Sequence, residues 1–200
     1  ICNEFFDALP INQIKKIRGD FFEKRITIKE NKIVPFYKKI LLKKRYNDEY
    51  LEDNEILEIS PLMNLYLKRI FRHIRTYGGG ILIFDYGPFR KKKIDTLQAI
   101  YKKRKFDVFK FPFKSDITYH IDFKQISQLS KKFGLNNFGP IHQKKFLYFY
   151  GINERLNLLL NSTNSDRLKN TVYGEFIRLT DPRGMGNLIK CMFICSKDLK

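Results

Sequence analysis

Apolar and polar residues alternate near the start of the chain with the period of two that is typical of β-strands. The alternation covers residues 13–18 and 23–29, on either side of Gly19 and Asp20. A Gly-Asp pair between two alternating runs predicts a β-hairpin, because these residues accept the backbone conformation of a tight turn. We therefore expect an inserted hairpin at about residues 11–34.

Helical spacing of apolar residues indicates helices further along the chain. Three segments share it: residues 61–77, 123–133 and about 143–160. Ser60 precedes Pro61 at the first segment and Asp122 precedes the second, and both are side chains that cap helix N-termini. Residues 35–44 and the acidic residues 47–54 show neither period, so we expect them to form connecting, lid-like surface.

Two apolar runs predict strands of a sheet. Residues 81–84 are continuously apolar and lead into Asp85, as in a strand that is buried on both faces and opens into a turn at its carboxyl end. A second run over residues 186–195 predicts a final strand, in which Cys191 and Cys195 are expected to be buried as small apolar residues. Helices that alternate with such strands predict an α/β fold with a mostly parallel sheet and flanking helices.

Size and cysteine content are those of one compact domain in an aqueous interior. The 200 residues, 43% of them hydrophobic, suffice for a single domain with a core. The opening residues do not follow the signal-peptide pattern, and no apolar stretch approaches the roughly 20 residues needed to cross a bilayer. The three cysteines predict a reducing compartment and, without neighbouring histidines, no metal site.

Net charge is the most unusual bulk property. The chain has 39 Lys and Arg residues against 21 Asp and Glu, a net charge of +18. A field of this strength attracts RNA, DNA or an anionic membrane. However, the basic residues occur in short clusters that flank apolar positions along the whole chain, a distribution typical of solvated helix faces. On this ground we expect no nucleic-acid partner.

Polar groups suited to chemistry are concentrated in the first residues. Asn3, Glu4 and Asp7 lie within five positions of one another. If residues 1–2 are the end of a strand, these side chains lie at the carboxyl edge of the sheet, where ligands bind in open α/β folds. The alternative is a helix cap followed by ordinary surface acids, and these residues alone favour that alternative.

A series of short motifs follows in one order along the chain. The motifs are NEFFDALP (3–10), EISP (58–61), GILIFDYG (80–87), DTLQA (95–99), DITYHIDF (116–123), GPIHQ (139–143), GI (151–152) and MG (185–186) with Lys190. This series resembles the MidA family, whose mitochondrial members act in the assembly of respiratory complex I. The resemblance covers essentially the whole chain.

The resemblance implies a class I, S-adenosylmethionine-dependent methyltransferase with a Rossmann-like, mostly parallel sheet whose last strand is antiparallel. That family carries a Gly-rich cofactor loop after its first strand, whereas the glycines at 78–80 follow a predicted helix and precede a predicted strand. We therefore expect residues 1–200 to be a partial methyltransferase domain, the C-terminal half, which is inactive alone.

The resemblance also implies that the methyl acceptor is an arginine side chain of a protein. The residues expected at the site are Glu4, Asp7 and His120 as catalytic residues, Asn3 and Asp85 toward the cofactor, and Asp116, Asp122 and Gln143 toward the substrate. A guanidinium is cationic and a poor nucleophile, so carboxylates such as Glu4 and Asp7 are expected to orient it. For His120 the alternative is a helix-entry loop in which His and Asp cap main-chain groups.

Two other classes of function stay open at this point. One is a non-catalytic assembly or binding module derived from a methyltransferase, and the other is a basic RNA-binding protein. The resemblance implies the cytoplasm for a bacterial-type member and the mitochondrial matrix for a mitochondrial one. The physiological acceptor and the oligomeric state do not follow from the sequence.

Overall fold

The computed structural model of the chain describes residues 1–41, 51–90 and 93–198. These residues belong to two compact units. The first unit is drawn from Ile1–Phe6, Arg69–Lys91 and Ile121–Lys200, and the second from Asp7–Lys68 and Lys92–His120.

Strands and helices alternate along the described chain. The strands are β1 (Cys2–Asn3), β2 (Asn12–Ile17), β3 (Asp20–Lys29), β4 (Lys32–Ile40), β5 (Ile56–Ile59), β6 (Gly80–Tyr86), β7 (Gln98–Tyr101), β8 (Arg104–Phe106), β9 (Asp116–Thr118), β10 (Asn136–His142) and β11 (Ile189–Cys195). The helices are α1 (Pro61–Tyr77), α2 (Phe123–Lys132), α3 (Gln143–Phe149), α4 (Ile152–Asn161), α5 (Asp166–Thr180) and α6 (Met185–Leu188). None of the described helices is both long and apolar enough to span a bilayer. The predicted α/β class is confirmed.

The first unit is built on a four-stranded sheet in the order β1-β6-β11-β10. β1 pairs in parallel with β6, whereas β11 is antiparallel to both β6 and β10. Three of these strands therefore run in one direction, and the last strand of the chain runs against them. This arrangement confirms a sheet with parallel strands and the predicted antiparallel last strand, although two of its three strand pairs are antiparallel.

The two central strands of this sheet differ in burial. In β6 buried residues alternate with half-buried ones, so one face is fully buried where burial of both faces was predicted. β11 is buried along nearly its whole length, which confirms the predicted burial of Cys191 and Cys195. β11 begins at Ile189 and not at Gly186 as predicted, because Gly186 lies in α6.

Helix α1 forms where its start and stop signals predict it. The Ser60 hydroxyl accepts a hydrogen bond from the main-chain N–H of Met63 at 3.2 Å. The helix ends before Gly78, whose φ of +79° lies in the left-handed region that favours glycine. Its buried side chains follow one another at helical intervals: Met63, Leu67, Phe71 and Ile74.

The later helices agree with the prediction only in part. α2 begins after Asp122 as expected. The single helix predicted over residues 143–160 is two helices, α3 and α4, because Gly151 adopts a φ of +83° and interrupts the helical path. α5 was not predicted; it starts after Ser165, whose hydroxyl accepts a hydrogen bond from the N–H of Leu168.

The second unit contains a four-stranded antiparallel sheet in the order β4-β3-β2-β5. β2 and β3 pair as a hairpin whose turn is Arg18 and Gly19, with φ values of +50° and +83°; the predicted turn was Gly19 and Asp20, but Asp20 is the first residue of β3. The prediction of connecting surface was wrong for residues 35–40, which belong to β4. This strand is exposed on both faces, so its sequence lacks apolar alternation. The predicted surface at 42–44 and 47–50 lies outside the described residues.

Five strands, β5, β7, β8, β9 and β10, escaped prediction for two physical reasons; the first, a length of only three or four residues, applies to β5 as well as to β7–β9. β7, β8 and β9 form a three-stranded sheet in the second unit, and strands of three or four residues are too short to show alternation. β10 contains Gly139 and Pro140, a pair that indicates a turn. The strand accommodates them through a shift in its pairing with β11 between Phe138 and Ile141.

Gly186 lies so close to the end of α5 that a larger residue would clash with the main chain. A Cβ at this position would meet the carbonyl oxygen of Thr180 and lie 2.8 Å from that of Asp181. Main-chain atoms yield less than flexible side chains, so we expect Gly186→Ala to lower the free energy of unfolding by about 1–3 kcal/mol. Urea unfolding followed by circular dichroism measures this change.

Gly174→Ala is the matched control. Gly174 lies within α5, and a Cβ there has no heavy atom within 4 Å. Alanine favours a helix over glycine by about 1 kcal/mol, so this variant should be at least as stable as the wild type. Equal stability of the two variants would contradict the close packing at Gly186.

Candidate active site

The strands of the first unit bring four chain segments to one edge of the sheet. β1, β6 and β10 run in the same direction and end at Asn3, Tyr86 and His142. β11 runs the other way and begins at this edge, with Ile189 opposite Tyr86. We call this the carboxyl edge. It is the position at which open α/β sheets bind ligands.

Asp85 connects the segment after β1 to the end of β6. Its side chain is fully buried, and its Oδ2 accepts a hydrogen bond from the main-chain N–H of Phe6 at 2.9 Å. Its Oδ1 accepts from the N–H of Tyr86 at 2.8 Å. The N–H of Glu4 also donates to the carbonyl oxygen of Phe84 at 2.8 Å. The buried carboxylate therefore holds Phe6 through a charge-assisted bond, while the Phe84 carbonyl holds Glu4.

Asn3 and Glu4 extend from the carboxyl edge into solvent. Both residues are exposed, whereas Phe6 is fully buried. Glu4 has a φ of +46°, which residues other than glycine rarely adopt. Within the described chain the Glu4 carboxylate makes neither a hydrogen bond nor an ion pair. The structure thus presents one acidic group beside the end of β6, as predicted for the segment after the first strand.

Lys190 is a buried cation at the same edge. It lies opposite Asp85 in the pairing of β11 with β6. Its Nζ donates hydrogen bonds to the carbonyl oxygens of Asn187 at 2.6 Å and Leu188 at 3.1 Å. Burial lowers the pKa of Lys190 below its usual range. Its two hydrogen bonds satisfy carbonyl groups at the end of α6.

An aromatic ring covers this cation. The Lys190 Nζ lies 5.3 Å from the centre of the Phe89 ring, a cation–π distance. The His142 ring packs edge-on against Phe89 with centroids 4.8 Å apart, and its Nδ1 lies 3.2 Å from the carbonyl oxygen of Asn187. Phe89 is 44% exposed. It forms a fixed apolar surface at the carboxyl edge.

Gln143 and Asp122, both predicted to face the substrate, make structural contacts. Gln143 is buried, and its Nε2 donates to the carbonyl oxygen of Leu179 at 3.0 Å, which links α3 to α5. Asp122 is the N-cap of α2, and its Oδ1 accepts from the N–H groups of Lys124 and Gln125. The capping alternative thus describes the observed contact of Asp122, while the substrate role of both residues stays a prediction.

Gly87 allows the chain before α2 to approach the end of β6. The N–H of Ile121 donates to the carbonyl oxygen of Tyr86 at 2.9 Å. A Cβ on Gly87 would lie 2.5 Å from the carbonyl oxygen of Ile121. The residue before Asp122 is therefore held against the carboxyl edge by a contact that only glycine permits.

Three predicted residues belong to the second unit. Asp7 is buried, and its carbonyl oxygen accepts from the N–H of Tyr119 at 3.0 Å. His120 is half-buried, and its N–H donates to Oγ1 of Thr96 at 2.9 Å. Asp116 is exposed at the start of β9. Of the predicted set, the structure brings Asn3, Glu4 and Asp85 together in the first unit.

A buried polar network in the second unit connects three of the ordered motifs. The Glu58 carboxylate accepts hydrogen bonds from both the N–H and the hydroxyl of Thr96. Gln13 Nε2 donates to Glu58 at 2.9 Å and to Asp95 at 2.7 Å. The hydroxyl oxygen of Thr96 in turn accepts a hydrogen bond from the main-chain N–H of His120. These contacts give a structural reason for the EISP, DTLQA and DITYHIDF motifs.

Sequence reasoning missed the roles of Lys190 and Glu58, although each has a visible signal. Both are charged residues inside short apolar strands, β11 and β5, and both are buried. A charged residue in such a strand indicates a specific polar contact, because burying an unpaired charge is costly. Phe89 offers no comparable signal, since its contacts depend on β10 and β11.

The chain belongs to a family of S-adenosylmethionine-dependent methyltransferases. Residues 1–141 match the family described as "Putative S-adenosyl-L-methionine-dependent methyltransferase". This finding confirms the family expected from the ordered motifs.

Individual relatives are similar over nearly the whole chain. "Protein arginine methyltransferase NDUFAF7, mitochondrial" of Xenopus laevis is 29% identical over 196 residues, which cover 95% of this chain and 44% of that protein. Its Caenorhabditis elegans homolog is 30% identical over 168 residues. The aligned region covers 80% of this chain and 39% of that protein. The chain thus spans less than half the length of these curated relatives.

Solved structures agree on the fold. A Burkholderia thailandensis protein with bound S-adenosyl-homocysteine superposes with a TM-score of 0.82 at 20% identity, over 96% of this chain and 51% of that one. A second structure from the same organism gives a TM-score of 0.77 at 20% identity, over 94% of this chain and 52% of that one. The expected class I methyltransferase fold is confirmed.

Asp85→Asn should loosen the segment after β1. An amide offers one accepting oxygen, so the N–H of Phe6 or of Tyr86 would face an NH₂ group in a buried position. We expect the free energy of unfolding to fall by about 1.5–3 kcal/mol. Asp107→Asn is the control, since its carboxylate also accepts a main-chain N–H, from Phe109, but in an exposed position. Equal losses in urea unfolding of the two variants would contradict this role of Asp85.

Alkaline pH should reveal the buried thiol of Cys191. Burial raises its pKa to about 12, while the pKa of the same thiol in the unfolded chain is about 8.5. The unfolded state therefore loses its proton first, and the stability present at lower pH is lost as pH rises above the unfolded value. Each such thiol contributes a slope of up to about 1.4 kcal/mol per pH unit.

Cys191→Ala should flatten the decrease in unfolding free energy between pH 8.5 and 10. Lys190→Met is the opposite control: the lowered pKa of Lys190 makes stability rise with pH in this range, so its removal should steepen the decrease. Urea unfolding with a reducing agent at several pH values measures both slopes. If the unfolding free energy of the wild type and of both variants fell equally with pH, neither Cys191 nor Lys190 would be desolvated.

Proposed function

We propose that this chain forms the acceptor-facing part of an S-adenosylmethionine-dependent methyltransferase whose acceptor is an arginine side chain of a protein. The family match over residues 1–141 and the similarity to a protein with bound S-adenosyl-homocysteine support the class of reaction. The names of the curated relatives, protein arginine methyltransferases, support arginine as the acceptor. These relatives are longer than the chain, so the proposal concerns what residues 1–200 contribute.

The observation that carries this proposal is the exposed Glu4 carboxylate at the carboxyl edge. A guanidinium is planar and cationic at ordinary pH, and a carboxylate binds it through two parallel hydrogen bonds. Such a contact holds the acceptor in one orientation and leaves another nitrogen directed toward the methyl donor. Glu4 is suited to this role because its main chain is tied to β6 while its carboxylate has no partner in the described chain.

Asn3 and Asp85 are proposed to serve the cofactor in different ways. S-adenosylmethionine supplies a methyl group on a cationic sulfur. The exposed amide of Asn3 has both donors and an acceptor for the amino-acid end of such a molecule. Asp85 fits a positioning role, because each of its oxygens already accepts a main-chain N–H group. It would act by holding Asn3 and Glu4 at the edge.

The remaining assignments rest on the resemblance alone. Asp7 and His120 are proposed as catalytic residues and Asp116 as a substrate contact. Asp122 and Gln143 are proposed near the acceptor, where their observed contacts make them supports of α2 and α3. The compartment is proposed to be the cytoplasm or the mitochondrial matrix, since the curated relatives are named as mitochondrial and the solved structures are bacterial.

Glu4→Gln tests the acceptor role. The chain is expressed behind the N-terminal part of the Burkholderia thailandensis relative as one polypeptide and incubated with S-adenosylmethionine and arginine-containing peptides. Mass spectrometry then locates the added methyl groups. Losing the charge that orients the guanidinium should reduce turnover about 100-fold, roughly 2.7 kcal/mol of transition-state stabilisation. Glu154→Gln, which removes an exposed carboxylate from α4, should leave turnover unchanged.

Calorimetric titration with S-adenosyl-homocysteine separates the two partners of the site. Binding by the Glu4→Gln protein should equal that of the parent, because Glu4 serves the acceptor. Unchanged turnover in Glu4→Gln, or methylation of lysine in place of arginine, would contradict the proposal. Heat released by the 200-residue chain alone would instead show that the cofactor site lies within these residues.

A further inference from the structure

The hairpin formed by β3 and β4 extends beyond the rest of its sheet. β2 pairs with β3 only from Asp20 to Glu23, whereas β3 and β4 stay paired as far as Lys29 and Lys32. Beyond Glu23, β3 has β4 as its one strand neighbour in the described chain, over a length of about 20 Å. We call residues 24–37 the ribbon.

One face of the ribbon is apolar and exposed. Ile26 lies opposite Pro35 and Ile28 opposite Ile33, and directly opposed residues of an antiparallel pair project to the same face. Ile26 is 60% exposed and Ile28 is 74% exposed. Contiguous apolar residues on an exposed surface mark an interaction site. We call these four residues the apolar ribbon face.

The edges of the ribbon are unsuited to pairing with a strand of a partner. Lys24, Arg25 and Lys29 lie along β3, and Lys32 and Pro35 lie along β4. Lysines and a proline protect edge strands against further pairing, because charges are unfavourable in a ladder and proline lacks an N–H. A partner would therefore contact the face of the ribbon and not its edges.

Unpaired positive charge lies at the end of the apolar ribbon face. Residues 24–37 include four cationic side chains and one carboxylate, that of Glu30; Lys24 forms an ion pair with Asp95 and Arg25 forms one with Glu23. Lys29 and Lys32 form the last pair of the ribbon, and neither has an ion-pair partner among the residues described. On the same face as the apolar residues, Lys24 lies opposite Tyr37, which is 45% exposed. The surface thus favours a partner that is both apolar and anionic.

We propose that the apolar ribbon face binds the surface of an anionic lipid bilayer, with the ribbon lying flat in the interface. Its residues are aliphatic, whereas single-stranded RNA is bound by aromatic rings and protein hot spots are enriched in Trp, Tyr and Arg. Aliphatic side chains next to lysines suit such a bilayer surface. The aliphatic groups can contact acyl chains while the lysine ammonium groups reach the anionic headgroups. Tyr37 has the amphipathic ring that favours the headgroup level.

A tryptophan placed on the face reports its environment directly, because the chain contains no Trp. Ile28→Trp should shift its fluorescence to shorter wavelength with vesicles of two parts phosphatidylcholine to one part phosphatidylglycerol, and brominated lipid should quench it. Leu158→Trp is the control, since Leu158 is 66% exposed on α4. It should show neither effect. Phosphatidylcholine vesicles alone should shift Ile28→Trp much less.

Vesicle sedimentation tests the same face without a reporter. The double variant Ile26→Thr with Ile28→Thr keeps β-branched residues and should bind anionic vesicles at least about tenfold more weakly than the wild type. Leu158→Gln with Leu168→Gln removes two exposed leucines from α4 and α5 and should bind like the wild type. Equal binding of both variants would mean that the overall charge alone attracts the vesicles, and this would overturn the proposal. So would a fluorescence shift of Ile28→Trp with single-stranded oligo(U) and none with vesicles.

Discussion

The buried carboxylate of Asp85 is the contact on which the geometry of the candidate site depends. Two main-chain N–H groups meet its oxygens, one from Phe6 and one from Tyr86. A buried carboxylate is unfavourable unless such donors compensate for lost hydration, so the pairing requires both segments to stay in place. β1 itself has only two residues and could not hold the chain by its ladder alone. The positions of Asn3 and Glu4 at the end of the sheet therefore depend on Asp85 together with the short β1 ladder and the bond from the Glu4 N–H to Phe84.

Sequence reasoning recovered elements whose signals are local. α1 and α2 have a capping residue before them and a left-handed glycine after them, and β6 and β11 are apolar runs. The elements it missed depend on contacts with distant residues. β10 tolerates Gly139 and Pro140 because its pairing with β11 shifts around them. α5 was missed for a different reason: Thr180 is its one buried residue, so its sequence lacks a clear apolar stripe.

The residues of the candidate site also fall into those that local sequence predicts and those that depend on the fold. Asn3, Glu4 and Asp85 could be predicted together, because a rule about strand ends locates them without knowledge of the fold. The group of Phe89, His142 and Lys190 could not, since the register of β11 with β6 and β10 brings these residues together. Carboxylates such as that of Asp122 looked chemically available in the sequence, yet helix capping uses one of its oxygens. The residue type shows which side chains could bind a ligand. Only the structure shows which of them already accept hydrogen bonds from the main chain.

Because the chain is strongly basic, an exposed carboxylate such as that of Glu4 matters for binding a cationic acceptor. A protein of net charge +18 repels a cationic acceptor over most of its surface. Several of its carboxylates are also engaged internally, as Glu58 and Asp85 are with buried donors. Screening confines each charge to about 8–10 Å at physiological ionic strength, so a guanidinium near the carboxyl edge experiences mainly the local groups. There the buried ammonium of Lys190 donates to main-chain carbonyls beneath Phe89, while the Glu4 carboxylate is exposed. Glu4 is therefore the exposed carboxylate of this edge to which the proposed arginine acceptor would be attracted.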